Sequence, residues 1–156
     1  MIDNPRLITA DARLTAVVPL IVPRADIAQV MGPAIHEVIA TLHAQGHAPA
    51  GPCFSLHHCR PTEVFDFEVG FPVNAPVTPA GRVVASTLPG VRVAQTVYRG
   101  PYEGLGAAWG AFMAWIAAQH LQTGPGLWEC YAAGPEVSPN PADWITELNC
   151  PVSDRS

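Results

Sequence analysis

The sequence contains no lysine, and its eight basic residues are all arginines scattered along the chain. Charged residues make up only 13% of the 156 residues, and the formal net charge is −5. Nucleic-acid binding requires clustered positive charge facing the phosphates, so this pattern argues against a direct nucleic-acid partner. Hydrophobic residues make up 49% of the chain, which is enough apolar material for one domain spanning 1–156.

The chain also lacks a long apolar run. The longest, Leu105 to Ala118, has 14 residues, whereas a membrane-spanning helix needs about 20. The N-terminus, MIDNPRLITADARL, lacks the basic start and apolar stretch that are typical of a signal peptide. These absences predict a cytoplasmic protein with no membrane partner.

No two of the four cysteines form a CxxC pair. The alternative of a zinc site rests on a group of histidines and cysteines between 43 and 59: His43, His47, Cys53, His57, His58 and Cys59. However, His57 and His58 are adjacent in a strand-like segment and therefore point to opposite faces. The stretch HAQGH crosses a glycine that ends a helix. We therefore predict no metal site, and the chain shows no motif for a cofactor.

Two segments of the chain resemble each other. Glu68 to Val73 and Glu147 to Val152 both read E-x-x-x-P-V. The matching letters are separated by the same 79 positions (147 − 68, 151 − 72 and 152 − 73). Because the order of the surrounding elements agrees as well, we predict an internal duplication, with repeat one at about 12–75 and repeat two at about 80–153.

The first half reads as strand, helix, strand, strand. The valine-rich run Leu14–Val22 predicts a strand. Apolar residues three and four apart over Asp26–Ala44 predict an amphipathic helix that ends at Gly46. Phe54–Arg60 and Val64–Val73 predict two further strands.

The second half repeats this order after an initial strand. Its predicted strands are Arg82–Thr87, Val91–Tyr98, Leu127–Ala133 and Trp144–Val152. Its helix is predicted to begin with Gly100 as N-cap and Pro101 at the first helical position. Strands and helices that share cores predict an α+β fold with an antiparallel sheet and two main helices. The two halves should form a pseudo-twofold pair with a ligand cleft where they meet.

Glu129 stands among aromatic residues in the strand-like segment GLWECYAAGP, residues 126–135. An unpaired carboxylate in an apolar site is costly, so Glu129 either faces solvent at a sheet edge or lines a cavity and waits for a partner. Charged residues are rarely buried, which by itself favours the solvent-facing alternative. Strand alternation places Leu127, Glu129 and Tyr131 on one face and Trp128 and Cys130 on the other.

The second half resembles GyrI-like domains, the effector-binding domains of AraC-type and multidrug-sensing bacterial regulators. The resemblance covers nearly the whole chain because that family is itself a duplicated β-α-β-β unit. The matching residues are Tyr98, Gly100, Pro101, Tyr102, Glu103, Glu129, Tyr131, Trp144, Thr146, Glu147, Pro151 and Val152. The family commonly has a histidine at the position of Tyr98, which leaves the role of this residue open.

The resemblance implies a drug-binding cavity between the halves, with an acidic residue at its floor that meets cationic aromatic ligands. Glu129 lies at the matching position, which favours the cavity over the solvent-facing alternative and implies a raised carboxyl pKa. Regulators of the family carry a helix-turn-helix in front. This chain has no room for one, so we expect a stand-alone form.

The candidate ligand-binding residues are one glutamate and the aromatic residues around it: Phe54, Tyr98, Tyr102, Trp109, Phe112, Glu129, Tyr131 and Trp144. Aromatic faces attract flat and cationic molecules. The alternative for each ring is core packing, which is favoured for Phe112. Glu68 and Glu147 occupy duplicated positions and are interpreted as structural.

The resemblance leaves three functions open. The first is binding or sequestration of a flat apolar or cationic aromatic small molecule. The second is hydrolysis of the strained cyclopropane in DNA-alkylating natural products, with Glu129 as general base and Tyr102 or Tyr131 as hydrogen-bond donor. The third is gyrase inhibition, for which the sequence offers no surface patch. A small-molecule partner is expected, and the oligomeric state stays open.

Overall fold

A computed structural model of the chain describes residues 2–59, 63–124, 126–134 and 137–154. The chain divides into two compact units. One unit is Asp11–Gly90, and the other combines Met1–Ala10 with Val91–Ser156. We call them the 11–90 unit and the 91–156 unit and describe each separately.

Nine strands and two α-helices occur in the described part of the chain. In chain order they are β1 (Arg6–Thr9), β2 (Arg13–Pro23), α1 (Ile27–Ala44), β3 (Phe54–His57), β4 (Val64–Pro72), β5 (Val84–Leu88), β6 (Arg92–Arg99), α2 (Leu105–Ala118), β7 (Leu121–Thr123), β8 (Leu127–Ala133) and β9 (Ile145–Asp154). Short 3-10 helices occur at Arg24–Asp26, Tyr102–Gly104 and Pro141–Asp143.

The 11–90 unit is an antiparallel sheet in the order β3-β4-β2-β5 with α1 packed on one face. Helix α1 buries Ala34, Val38 and Leu42, which recur every four residues and therefore form one stripe. They pack against alternate strand residues such as Val18 and Val69. The spacing of apolar residues thus determines which face of each element enters the core.

The 91–156 unit has an antiparallel sheet in the order β1-β6-β9-β8, and β7 also pairs with β9. Helix α2 buries Ala108, Phe112 and Ile116, again four residues apart. Leu148 and Cys150 of β9 belong to the same core. The two units therefore show the same pairing order, although the outer strand β5 comes last in the 11–90 unit and the outer strand β1 comes first in the 91–156 unit. The duplication itself stays a prediction.

The α+β fold, the antiparallel sheet and the two main helices are confirmed. Strands β1 and β7 were not predicted, because a strand of three or four residues carries almost no periodic signal. The strand expected at the start of the second half is instead β5, which pairs with β2 in the 11–90 unit. Strand β3 ends at His57, and Arg60 of the predicted strand lies outside the described residues.

The predicted start of the second helix is wrong. A 3-10 helix at Tyr102–Gly104 precedes α2, and Pro101 lies before that turn rather than at the first position of the α-helix. The Pro101 carbonyl accepts hydrogen bonds from the Tyr98 hydroxyl at 2.7 Å and from the Gly104 N–H at 3.1 Å. These bonds hold the tighter turn in place.

Among the described residues, no helix has the length and apolar character needed to cross a bilayer. The cleft expected between the two sequence halves stays a prediction.

Candidate functional site

Strand β8 directs Glu129 and Tyr131 toward the face of its sheet on which α2 packs. Glu129 lies opposite Leu148 in the register, and Tyr131 lies opposite Thr146. Leu148 belongs to the core that includes Phe112 of α2. Because directly paired residues of an antiparallel ladder share a face, both polar side chains point to the helix side.

Both carboxylate oxygens of Glu129 accept hydrogen bonds from aromatic side chains. The Trp109 indole N–H donates to Oε2 at 2.6 Å, and the Tyr131 hydroxyl donates to Oε1 at 2.9 Å. Trp109 is on α2, twenty residues before Glu129, so only the packing of α2 on the sheet brings them together. The glutamate is half-buried and held in one orientation.

Desolvation raises the pKa of the Glu129 carboxyl above its usual range. The hydrogen bonds from Trp109 and Tyr131 act in the opposite direction, because they stabilise the charged form. A carboxylate has about four lone-pair positions, so these two bonds leave capacity for a further donor. Glu129 can therefore act as a counter-charge or as a proton acceptor.

Two further aromatic rings lie next to Tyr131. The Tyr102 ring lies edge-on to Tyr131, with centroids 5.9 Å apart, and 4.7 Å from the ring of Trp144. Trp144 is anchored because its indole N–H donates to the Ser138 carbonyl at 3.0 Å. All three rings are half-buried, so they combine a fixed position with accessible surface.

The remaining predicted contacts are more deeply buried. Phe112 has no exposed surface, and its ring centroid lies 5.6 Å from that of Trp109. Tyr98 is 5% exposed, and its hydroxyl donates to Pro101. Phe54 belongs to the 11–90 unit, where it is completely buried on β3. Ligand contact by these three residues stays a prediction.

One polar residue on this sheet face, Thr146, matches the family motif but is not among the predicted ligand contacts. The side chain of Thr146 is fully buried, and its hydroxyl has no hydrogen-bond partner among the residues described. It lies between Tyr98 on β6 and Tyr131 on β8 in the register. The available signal was strand alternation through W-x-T, which places Thr146 on the same face as Leu148.

The two glutamates interpreted as structural are engaged by neighbouring polar groups. Glu68 accepts a hydrogen bond from the Ser86 hydroxyl at 2.7 Å and lies 3.1 Å from His58. Glu147 accepts a hydrogen bond from the Asn149 amide at 3.1 Å. In the described part of the chain, no three His, Cys, Asp or Glu side chains gather as metal ligands.

Comparison with known families gives one match over most of the chain. The model of the GyrI-like small molecule binding domain matches residues 3–153. No curated protein sequence matches this chain.

Solved structures with the same fold include three different proteins. The C-terminal domain of EcmrR is 22% identical, with a TM-score of 0.86, and the match covers 97% of this chain and 98% of that one. In the cryo-EM structure of the EcmrR–DNA complex, at 21% identity and TM-score 0.80, the match covers 97% of this chain and 58% of the EcmrR chain. This chain therefore spans little more than half the length of that protein.

The other two proteins are more distant. SAV2435 bound to tetraphenylphosphonium is 11% identical with a TM-score of 0.70, and the match covers 97% of this chain and 94% of that one. A hydrolase from Listeria innocua is 14% identical with a TM-score of 0.66, and the match covers 96% of this chain and 92% of that one. At these identities the likeness concerns the fold.

Proposed function

Because the chain belongs to the GyrI-like small molecule binding domain family, we propose that it binds a flat apolar or cationic aromatic molecule, with Glu129 as counter-charge. The observation that carries the proposal is the pair of hydrogen bonds that Trp109 and Tyr131 donate to this carboxylate. They fix a negative charge next to aromatic rings.

The combination of one carboxylate with several aromatic rings suits an aromatic cation better than a metal ion or a phosphate. The half-buried rings of Tyr102, Tyr131 and Trp144 offer faces for stacking and for cation–π contact. The carboxylate supplies the opposite charge in surroundings that are poorly solvated, where its attraction for a cation is stronger than in water. A structural neighbour bound to tetraphenylphosphonium supports the choice of this cation as a probe.

Protonation of Glu129 should control the affinity for a cation. The raised pKa means that the neutral form persists to a higher pH than for an ordinary glutamate. A bound cation favours the ionised form, so binding releases a proton when it occurs below the pKa. Affinity should therefore fall as the pH is lowered through the pKa of Glu129.

The test compares tetraphenylphosphonium with triphenylphosphine oxide, a neutral molecule with similar phenyl groups, by isothermal titration calorimetry. Glu129→Gln keeps the side-chain shape and removes the charge. We expect it to weaken cation binding by roughly tenfold to a hundredfold, because the attraction between two opposite charges several ångströms apart in partly buried surroundings is about 1.5–3 kcal/mol. Binding of the neutral probe should change much less.

The matched control is Glu103→Gln, which makes the same change in net charge at an exposed carboxyl of the same unit. It should leave both affinities unchanged. Equal loss in the two variants would mean that net charge, rather than Glu129, attracts the cation. Unaltered cation binding in Glu129→Gln would contradict the proposed role.

A second candidate function is hydrolysis of strained cyclopropanes, and the raised pKa of Glu129 is the observation that favours it. A carboxylate whose pKa lies closer to neutrality is a better general base toward water. Tyr102 or Tyr131 would then donate a hydrogen bond to the oxygen that gains charge. One structural neighbour bears the name hydrolase, which makes this reaction class reasonable to test.

Turnover separates this candidate from binding alone. Excess of a cyclopropane-bearing DNA alkylator is incubated with the native protein and with Glu129→Gln, and products are followed by chromatography. Many equivalents hydrolysed by the native protein and few by the variant would establish an enzyme. An untouched compound, or one bound one to one, would exclude hydrolysis of that class of molecule while leaving the binding proposal intact.

A further inference from the structure

The 11–90 unit carries a polar pair at the register positions that Glu129 and Tyr131 hold in the other unit. Glu129 lies opposite the residue that follows Glu147, and Tyr131 lies opposite the residue that precedes it. In the 11–90 unit, Ser55 and His57 lie opposite the residues that follow and precede Glu68. Both pairs therefore lie on the strand next to the one that carries the E-x-x-x-P-V segment, which is β3 beside β4 and β8 beside β9. Both also lie on the helix side of the sheet.

The side chains of this second pair contact each other, as Glu129 and Tyr131 do. Ser55 Oγ and His57 Nε2 are 3.3 Å apart, and both residues are buried. His57 is 6% exposed, and its other ring nitrogen, Nδ1, has no hydrogen-bond partner in the part of the chain that is described. A buried imidazole normally satisfies both nitrogens, so an unpaired one is an unusual feature in a core.

The surroundings of His57 are aromatic. Its ring stacks on Phe67 with centroids 5.2 Å apart and an interplanar angle of 15°, and Phe65 meets it edge-on at 5.6 Å. Phe65 and its register partner Val22 are half-buried, so this end of the aromatic group reaches solvent. We call His57, Ser55, Phe65 and Phe67 the His57 cluster.

We propose that the His57 cluster is a second small-molecule site, which takes a neutral flat aromatic molecule with one hydroxyl group. The unpaired Nδ1 supplies the hydrogen bond, and the half-buried Phe65 supplies the aromatic contact, while Phe67 holds the imidazole in place from its other side. This site is independent of the function proposed for Glu129, because it uses other residues and another ligand chemistry.

The absence of charge at His57 decides the ligand class. Desolvation lowers the pKa of His57 to about 4, with a smaller contribution from the neighbouring His58, so the imidazole is neutral near pH 7. A neutral ring offers no counter-charge to an ion. A phenol suits either neutral tautomer of His57, because its hydroxyl both donates and accepts a hydrogen bond.

The experiment uses the full chain with ¹⁵N-labelled histidine, phenol as the probe and benzene as the probe without a hydroxyl. Two-bond ¹H–¹⁵N spectra report the Nδ1 resonance of His57 directly. We expect phenol to shift this resonance in a saturable way and benzene to bind roughly fivefold to tenfold more weakly, because one hydrogen bond to a buried group is lost. No saturable shift with phenol, or an equal shift with benzene, would overturn the proposal.

His57→Phe keeps a flat ring and removes both nitrogens, so phenol should lose its preference over benzene. Ser55→Ala keeps Nδ1 and should retain that preference, and it serves if the first variant does not fold. Glu129→Gln should bind phenol like the native protein. Loss of phenol binding in Glu129→Gln would assign the phenol to the Glu129 site and contradict a second site, whatever the result with cations.

Discussion

The two units of the chain share one pairing order and differ in the chemistry of equivalent positions. On the helix side of the sheet, the 91–156 unit has Glu129 bonded to Trp109 and Tyr131, whereas the 11–90 unit has His57 next to Ser55. Desolvation favours the neutral form of both groups, and it therefore raises the pKa of the glutamate and lowers that of the histidine. Backbone topology sets the position, and the side chain sets the chemistry at that position.

The first prediction concerns the cores of the two units and has the largest expected effect. Phe112 of α2 and Val38 of α1 are both completely buried. Phe112→Ala should lower the free energy of unfolding by about 3–5 kcal/mol, and Val38→Ala by about 2 kcal/mol, because the ring leaves the larger cavity. Urea unfolding measures both values. Phe112→Leu, which retains most of the volume, should cost less than about 1.5 kcal/mol.

A smaller loss in Phe112→Ala than in Val38→Ala would break this part of the comparison. It would indicate that the region around α2 collapses onto the vacated volume, so that the two cores differ in their ability to relax rather than in the size of their side chains.

The second prediction uses the depressed pKa of His57. The pKa of this histidine is near 6.5 in the unfolded chain and about 4 in the folded protein. The free energy of unfolding therefore has its full value above pH 6.5 and decreases as the pH falls toward 4. The loss should reach up to about 3 kcal/mol, since each pKa unit corresponds to about 1.4 kcal/mol. His57→Phe should remove this part of the pH dependence in unfolding experiments between pH 4 and 7. His58→Gln, at an exposed position, is the control and should retain most of it.

The third prediction compares two glycines at the start and in the middle of the helical segment of the 91–156 unit. A methyl group at Gly104 would collide with the Tyr98 hydroxyl, whereas one at Gly110 would meet nothing within 4 Å. Gly104→Ala should therefore destabilise by about 1–3 kcal/mol. Gly110→Ala should stabilise by about 0.5–1 kcal/mol, because alanine is the better helix former. Thermal unfolding of both variants at one pH decides the signs, and two losses of equal size would contradict the role of Tyr98.

The fourth prediction is the counterpart of the second and the smallest effect. The pKa of Glu129 is raised in the folded protein. Burial of this carboxyl therefore does not reduce the free energy of unfolding below the unfolded pKa of about 4.3, and it reduces it increasingly as the pH rises through the folded pKa. The stability of Glu129→Gln relative to the native protein should therefore increase with pH. The effect is limited because hydrogen bonds from Trp109 and Tyr131 oppose desolvation. Glu103→Gln provides the baseline, and parallel pH profiles of the two variants would exclude a desolvated Glu129.

Local signals predicted most of the elements. The bounds of β8 are those expected, and Gly46, with a φ of +73°, follows α1 where a left-handed residue is needed. The helix of the second half begins later than expected, because the Tyr98 hydroxyl and the Gly104 N–H both bind the Pro101 carbonyl. That arrangement depends on a residue of the preceding strand and is not visible in helix propensities.

The sequence by itself determined most of the elements, the family, and Glu129 as the residue to test, because periodicity, turn residues and motif spacing are local properties of the chain. Only the tertiary structure decided that β5 pairs with β2, that Trp109 donates to Glu129, and that His57 is buried with an unpaired nitrogen. These features depend on which strands pair and which surfaces lose water. Such contacts join residues far apart in the sequence, and their energies arise from burial rather than from local propensity.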